Sequence, residues 1–170
     1  MLKAQAGSDK AFGMLYRGYH ASLVRFSYCF CRNEQLALDA VQDAWITIAR
    51  TLDALNEPSM FRARVFQAVR WRTIDLIRKR ETSMISFEDD MLGVSTVENS
   101  RWATTGQIAT LIGKLPDIEQ QAIHLFYLED MKLNEISAVL DVPIGTLKSR
   151  LNRARLRLRE IMEGEENGID

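Results

Sequence analysis

Lys148, Ser149, Asn152 and Arg153 share the outward face of one helical segment that begins near Thr146. Lys, Asn and Arg are the side chains that pair with base edges in a DNA major groove. The N-terminal half of a recognition helix is where they do so. Arg150, Arg155, Arg157 and Arg159 spread along the flanks, where guanidinium groups meet phosphates. A second set lies upstream. Arg64, Gln67, Trp71, Asp75 and Arg78 recur at helical spacing, and residues 62–80 hold seven basic side chains against one acid, Asp75. An aromatic ring among cations suits single-stranded nucleic acid, where bases stack and phosphates pair. The broken stretch Leu55–Ser59 just before it, with Asn56 at its centre, could receive an extruded base. A third set, Asp39, Gln42, Asp43 and Trp45, makes an acidic and aromatic patch of the kind that binds protein. Each set has a plainer alternative: a solvated basic face, a Trp half-packed on a neighbouring helix, and a solvated acidic face.

Helices must position these groups. Gly (9) and Pro (3) are few, so strands and tight turns lack their punctuation and an all-α fold is expected. Ser8 or Asp9 can cap a helix whose apolar stripe is Phe12, Leu15, Tyr19, Leu23, Phe26 and Phe30. Arg32-Asn33 reads as a turn. A second helix carries Ala37, Val41, Ala44, Ile48, Leu52 and Leu55 before Asn56-Glu57-Pro58-Ser59 breaks it, with Ser59 as the next cap. A third runs from about Met60 to Arg80, with Phe61, Val65, Val69, Thr73 and Leu76 inward. Helical pattern resumes from Trp102 to Gly113. It continues after Pro116, where Ile118, Ala122, Leu125 and Phe126 are expected inward. Leu133 to Leu147 then has the spacing of a helix-turn-helix. Ile136, Leu140, Val142 and Leu147 pin the two helices, Ser137 sits at their close approach, and Pro143 opens the second. Leu147, Leu151, Ala154, Leu158 and Ile161 form the buried stripe of the last helix, which is expected to reach Met162.

The charge follows this division. The net charge of the 170 residues is −1, which argues against an unsegregated basic protein. Residues 1–80 nonetheless carry 13 basic and 7 acidic side chains, and residues 132–159 carry 7 and 2. The intervening 81–131 carry 2 and 9. Residues 81–101 hold no Lys and no Arg before Arg101, and are rich in Ser, Thr and acids, which makes them a flexible linker by composition. Two helical domains are therefore expected, 1–80 and 102–170, joined by an acidic linker over 81–101. No apolar run approaches the roughly 20 residues that span a bilayer, and nothing at the N-terminus reads as a signal peptide, so a cytoplasmic location is expected. Cys29 and Cys31 point about 200° apart on a helix. With the distant His20 and His124 they form no metal spacing. No nucleophile–base pair, phosphate loop or carboxylate pair stands out, and the expectation is a protein that is not an enzyme and needs no cofactor or metal.

In order along the chain, these segments resemble the extracytoplasmic-function (group IV) sigma factors of bacterial RNA polymerase. Ala11-Phe12 with Leu15-Tyr16 and Tyr19 is similar to the family's opening helix. Asp39-Ala40-Val41-Gln42-Asp43-Ala44-Trp45 is similar to its polymerase-binding motif, and Ile74-Asp75-Leu76-Ile77-Arg78-Lys79-Arg80 to the end of its promoter-melting helix. Leu115-Pro116-Asp117-Ile118-Glu119-Gln120-Gln121 resembles the start of its C-terminal domain, and Pro143 to Arg155 its recognition helix. The resemblance implies core-polymerase binding through Asp39, Gln42, Asp43 and Trp45. It implies minus-ten recognition and melting through Leu55, Asn56, Ser59, Arg64, Gln67, Trp71 and Arg78. It implies minus-thirty-five recognition through Thr146, Lys148, Ser149, Asn152 and Arg153, with an anti-sigma factor as a further partner and no small-molecule substrate. The chain departs from the family pattern at Leu38 (usually Glu), Arg64 (usually Trp), Trp71 (usually Asn) and Ser137 (usually Ala).

Two other readings compete. A sigma-like mimic would bind an anti-sigma factor without using promoters, and would have no need of Lys148, Ser149 and Arg153. An ordinary helix-turn-helix regulator would bind duplex DNA without polymerase, and would have no need of Gln42 and Asp43.

Overall fold

Ser8 starts the first long helix by accepting a hydrogen bond from the Ala11 amide at 3.3 Å, and Asp9 in the first turn complements the helix dipole. The computed structural model describes residues 1–85 and 107–166, and all the regular structure among them is helical. A short helix α1 (Leu2–Gln5), unexpected from the sequence, precedes α2 (Asp9–Cys31) and is joined to it through Gly7 at φ +84°. The Arg32-Asn33 turn forms as expected. Arg32 takes the left-handed conformation (φ 52°), and Asn33 caps α3 (Glu34–Thr51) by accepting from the Leu36 amide at 2.8 Å. A 3-10 turn (Pro58–Met60) leads into α4 (Phe61–Ile85). The C-terminal block comprises α5 (Gln107–Gly113), α6 (Asp117–Ile123), a wide π turn (His124–Leu128), α7 (Leu133–Leu140) and α8 (Ile144–Glu166).

The expected stripes of α3 and α4 point inward. Ala37, Val41, Ala44, Ile48, Phe61, Val65 and Val69 are all buried. Thr73, the polar member, is fully buried and pairs with Ser27 of α2 at 2.7 Å while donating to the Val69 carbonyl, so no hydroxyl is left unsatisfied. Five expectations are corrected, the first being that α3 reaches Leu55: it ends at Thr51, and Leu55 lies beyond a turn. Ser59 does not cap α4: it is exposed in the 3-10 turn, and Pro58 supplies the pre-set φ that starts that turn. Ile118 is 38% exposed, because α6 turns Glu119, Gln120 and Gln121 inward to meet arginines. Helix α4 continues to Ile85, so the first five residues of the expected linker are helical. The rest of that linker, and the helical start expected at Trp102, lie outside the described residues. Helix α8 likewise runs past Met162 to Glu166.

The two blocks are packed on each other. Phe26, fully buried on α2, meets Phe30 and Phe66 within its own block and His124 of the other, with ring centroids 5.4–5.6 Å apart. Polar contacts surround this shared core. The Arg32 guanidinium donates to the Gln120 side chain (2.7 Å) and to the Gly113 carbonyl. Gln120 in turn donates to the carbonyls of Gly113 and Leu115. Arg70 donates to Gln121 (2.8 Å), and Arg62 donates to the Glu129 backbone carbonyl and pairs with its carboxylate at 3.6 Å. Charged and amide groups at a half-dry joint set its register more than its strength, since their desolvation offsets most of their attraction.

Candidate nucleic-acid and protein interfaces

The helix-turn-helix is locked by its own backbone. Asp141 sits at φ 54°, the left-handed residue that ends α7. The Val142 amide donates to the Ser137 carbonyl (3.1 Å), and the Ser137 hydroxyl donates back to the Val142 carbonyl (2.5 Å). The Ser in place of the family's Ala therefore adds a bond across the turn. Glu135 closes the start of α7 by accepting from the Lys132 amide. Ile136, Leu140, Leu147 and Leu151 are buried where the helices cross. That fixes which side of α8 faces out: Thr146, Lys148, Ser149, Asn152 and Arg153 are all exposed on one surface. The flanking arginines divide. Arg155 is exposed, Arg157 is tied to buried Glu119 at 3.0 Å, and Arg159 pairs with Glu163. Arg150 is half-buried and has one guanidinium nitrogen without a hydrogen-bond partner.

The second surface lies where α3 ends and α4 begins. Leu55, Asn56, Arg64 and Gln67 line one cavity of about 550 Å³, together with Leu52, Glu57 and Ala138. Arg64 and Gln67 also border an adjoining groove of about 670 Å³ that includes Trp71, Arg72 and Asp43. Trp71 is 50% exposed, with the Arg70 guanidinium 5.8 Å from its ring centroid. Burial, then the nearby Arg150, pushes the Arg70 guanidinium down from its ordinary value. Helix α7 forms one wall: Gln67 donates to the Ala138 carbonyl at 2.8 Å. Two expected members are elsewhere. Ser59 is exposed and lines neither cavity. Arg78 is exposed two turns beyond Trp71, about 10 Å along the helix.

On α3, Asp39 and Gln42 are exposed, and Gln35 donates to Asp39 at 2.9 Å. Asp43 is partly exposed, but its carboxylate is held by Arg72 of α4 at 2.6 Å. The same guanidinium holds Asp75 at 2.6 Å, and Asp75 also takes a 3.0 Å contact from Lys79. The hydrogen bond from Lys79, aided by the charges of Lys79 and Arg72, keeps the Asp75 carboxyl below the usual carboxylate range. Trp45 corrects the sequence expectation of a surface patch. It is 4% exposed and packs against the rings of Phe12 and Tyr16, so it supports the patch from beneath. Leu38, which replaces the family's Glu, is half-buried against the core.

Arg72 and Gln120 escaped sequence reasoning. The Arg72–Asp75 pair was detectable as an i,i+3 spacing, but Asp43 and Arg72 are 29 residues apart and meet only through helix packing. Among the described residues no group of His, Cys, Asp and Glu could hold a metal ion, and no helix is long and apolar enough to cross a membrane.

The family model for sigma-70 region 2 matches residues 15–82, and that for sigma-70 region 4 matches residues 105–158. The chain is 27% identical to the ECF RNA polymerase sigma factor SigW of Bacillus subtilis, over 93% of this chain and 92% of SigW. It is 26% identical to the RNA polymerase sigma factor CnrH of Cupriavidus metallidurans, over 96% and 92% of the two chains. A structure of CnrH in complex with the cytosolic domain of CnrY superposes with a TM-score of 0.70 at 25% identity, covering 96% of this chain and 94% of that one. The fold is also that of the sigma factor RpoE of Bartonella quintana, solved with the anti-sigma factor NepR, at a TM-score of 0.75 and 22% identity over 91% and 98% of the chains.

Proposed function

The chain belongs to the sigma-70 family, in its extracytoplasmic-function group, as a factor that brings RNA polymerase to promoters, and from that premise we propose how its residues divide the work. The exposed Asp39 and Gln42 of α3, with the partly exposed Asp43 that Arg72 holds, bind the clamp coiled coil of core polymerase, and Trp45 keeps their helix in place. Leu55, Asn56, Arg64, Gln67 and Trp71 take the non-template strand of the minus-ten element. The cavity beside Asn56 receives an extruded base, and the half-exposed Trp71 offers a stacking surface. Arg78, beyond the groove, meets phosphate. Thr146, Lys148, Ser149, Asn152 and Arg153 read the minus-thirty-five element in the major groove. Ser59 and Trp45, the one outside the cavity and the other buried, act through the backbone and packing rather than by contact. The chain works in the cytoplasm, catalyses no reaction itself and uses no cofactor. An anti-sigma factor, as NepR is for the RpoE of Bartonella quintana, binds it as a further partner and holds it in reserve.

The observation that carries this reading is the presence in one chain of two surfaces with the chemistry to meet nucleic acid, the cavity and groove of α3–α4 and the outward face of α8, together with a third, the acidic face of α3 that precedes both in the chain. An ordinary regulator has no use for the third, and a mimic has no use for the exposed readers on α8. Run-off transcription with core polymerase tests it. Transcript from specific promoters that requires this chain supports the reading. DNA binding that needs no core polymerase, with no transcript, would refute it in favour of the regulator.

A further inference from the structure

The N-terminal helix α1 lies ahead of the region-2 match, which begins at residue 15. It is nonetheless tied to the minus-ten cavity. Ala4 is 6% exposed, and Met1 packs against the same core. The Gln5 side-chain amide reaches across the molecule to the end of α3. It donates to the Leu52 carbonyl at 3.1 Å and to the Leu55 carbonyl at 2.8 Å. A glutamine nitrogen has two N–H bonds, and each has one carbonyl here. Those carbonyls bracket the turn Leu52–Leu55, whose backbone also carries a weak 3.3 Å bond from the Leu55 amide to Leu52. Leu52, Ala54, Leu55 and Asn56 all line the 550 Å³ cavity. Beyond the packing of the Leu52 and Leu55 side chains against the core, little else fixes the backbone here: Asp53, Ala54 and Asn56 are exposed, and the Asp53 carboxylate bonds to the adjacent Ala54 amide.

We propose that Gln5 is a positioning residue for promoter melting: α1 is a brace whose side-chain amide clamps Leu52 and Leu55 so that the Leu55–Asn56 rim of the cavity is preset to receive an extruded base. This rests on the assignment of that cavity to the minus-ten element. The physical logic is preorganisation. A loop that must order when the base enters loses affinity to its own conformational entropy, and a loop already clamped does not. Gly7 makes the brace possible. Its φ of +84° turns the chain back so that α1 lies against the molecule, while a Cβ there would meet nothing within 4 Å. A side chain at Gly7 is thus disfavoured by backbone conformation alone.

The test uses holoenzyme reconstituted with wild-type chain, Gln5→Glu, Gln5→Ala, Gly7→Ala or Asn56→Ala. The probe is a forked DNA with a single-stranded non-template minus-ten strand, taken from a promoter this holoenzyme selects from a random pool. Abasic substitution at each minus-ten position shows which base is captured. Gln5→Glu keeps the shape and removes both donors. It is expected to weaken fork binding about tenfold, the effect of one or two net hydrogen bonds, and to flatten the abasic profile at the captured position. Binding to core polymerase and to minus-thirty-five duplex stays unchanged, and Gly7→Ala shows the same pattern more weakly. Amide exchange should quicken at residues 52–57 and not in the α2–α4 core. If Gln5→Glu and Gln5→Ala keep wild-type fork affinity and abasic profile while Asn56→Ala loses them, the brace is wrong and the cavity assignment stands. If Asn56→Ala also keeps both, the cavity assignment itself fails. An equal loss of fork, duplex and core binding in Gln5→Glu would mark a global folding defect and overturn the positioning role.

Discussion

Arg62 is the residue whose loss should most clearly expose how the two helical blocks are held together. Its guanidinium donates to the Glu129 backbone carbonyl and lies 3.6 Å from the Glu129 carboxylate. The carboxylate side chain is 7% exposed, and its other close neighbour is the His124 imidazole at 3.5 Å, itself fully enclosed. Arg62→Ala removes a charge-assisted bond and leaves a carboxylate nearly dry. Deleting one partner of a fully buried pair costs about 3–5 kcal/mol. Arg62 is 29% exposed, and water can reach Glu129 once the side chain is cut away, so a cost of about 2–3 kcal/mol is expected. Urea unfolding of the full chain measures it. The companion is Glu129→Gln in the Arg62→Ala background, which removes the stranded charge and should recover about 1 kcal/mol, a coupling that a double-mutant cycle isolates. A single-mutant cost below about 0.5 kcal/mol, or strict additivity of the two substitutions, would show that this contact does not secure the joint.

Arg153→Ala should relax minus-thirty-five selectivity at a cost of about 1–3 kcal/mol in a competition binding assay, and unchanged selectivity would put the reading face elsewhere on α8. Asp43→Lys should weaken core-polymerase binding in a titration with labelled core while leaving minus-thirty-five duplex affinity intact; Arg72 retains Asp75 as partner, so helix α4 keeps its ion pair. Equal core affinity would move the interface off α3. Ser137→Ala, which restores the family residue, should lower the unfolding free energy by about 1 kcal/mol through loss of the bond to Val142; unaltered stability would mean that the turn does not need it. The thiols of Cys29 and Cys31 are both pushed above the usual thiol range, chiefly by burial. Their raised values make the folded state prefer the protonated form, so this contribution to stability is intact below the unfolded thiol range and declines as pH rises through and beyond it. At pH 8 a disulfide reagent should react slowly with the native chain and rapidly in urea, and fast native reaction at the half-buried Cys29 would contradict a raised thiol.

Local chemistry explains why so much of the architecture could be read from sequence. The stripes of α2, α3, α4 and α8 are set by helical periodicity, which one chain displays without reference to any other part of itself. Ser8, Asn33 and the Arg32 turn work within four residues of where they act, and Leu133–Leu147 carries its own turn geometry. The outward face of Lys148, Ser149, Asn152 and Arg153 follows from the buried Leu147 and Leu151 on the same helix. Periodicity fails where the partner of a face is polar. It assigned Ile118 inward because the residue is apolar, whereas α6 buries Gln120 and Gln121 against arginines from α2 and α4. It also gave Trp45 to the surface patch, because helix phase alone does not say that Phe12 and Tyr16 will cover it.

Sequence by itself thus determined the long helices and their inner faces, the helix-turn-helix and the segregation of charge, but not α1 or the polar inner face of α6, since each of the former depends on residues close together in the chain. Only the tertiary structure decided that Asp43 is gripped by Arg72, that Gln67 meets Ala138 of the opposite block, and that Gln5 clamps a turn some fifty residues away. Such contacts carry no periodic signature. They depend on how whole helices are laid against one another, and that is set by the summed packing of the core around Phe26 and Phe66, which no short stretch of sequence contains.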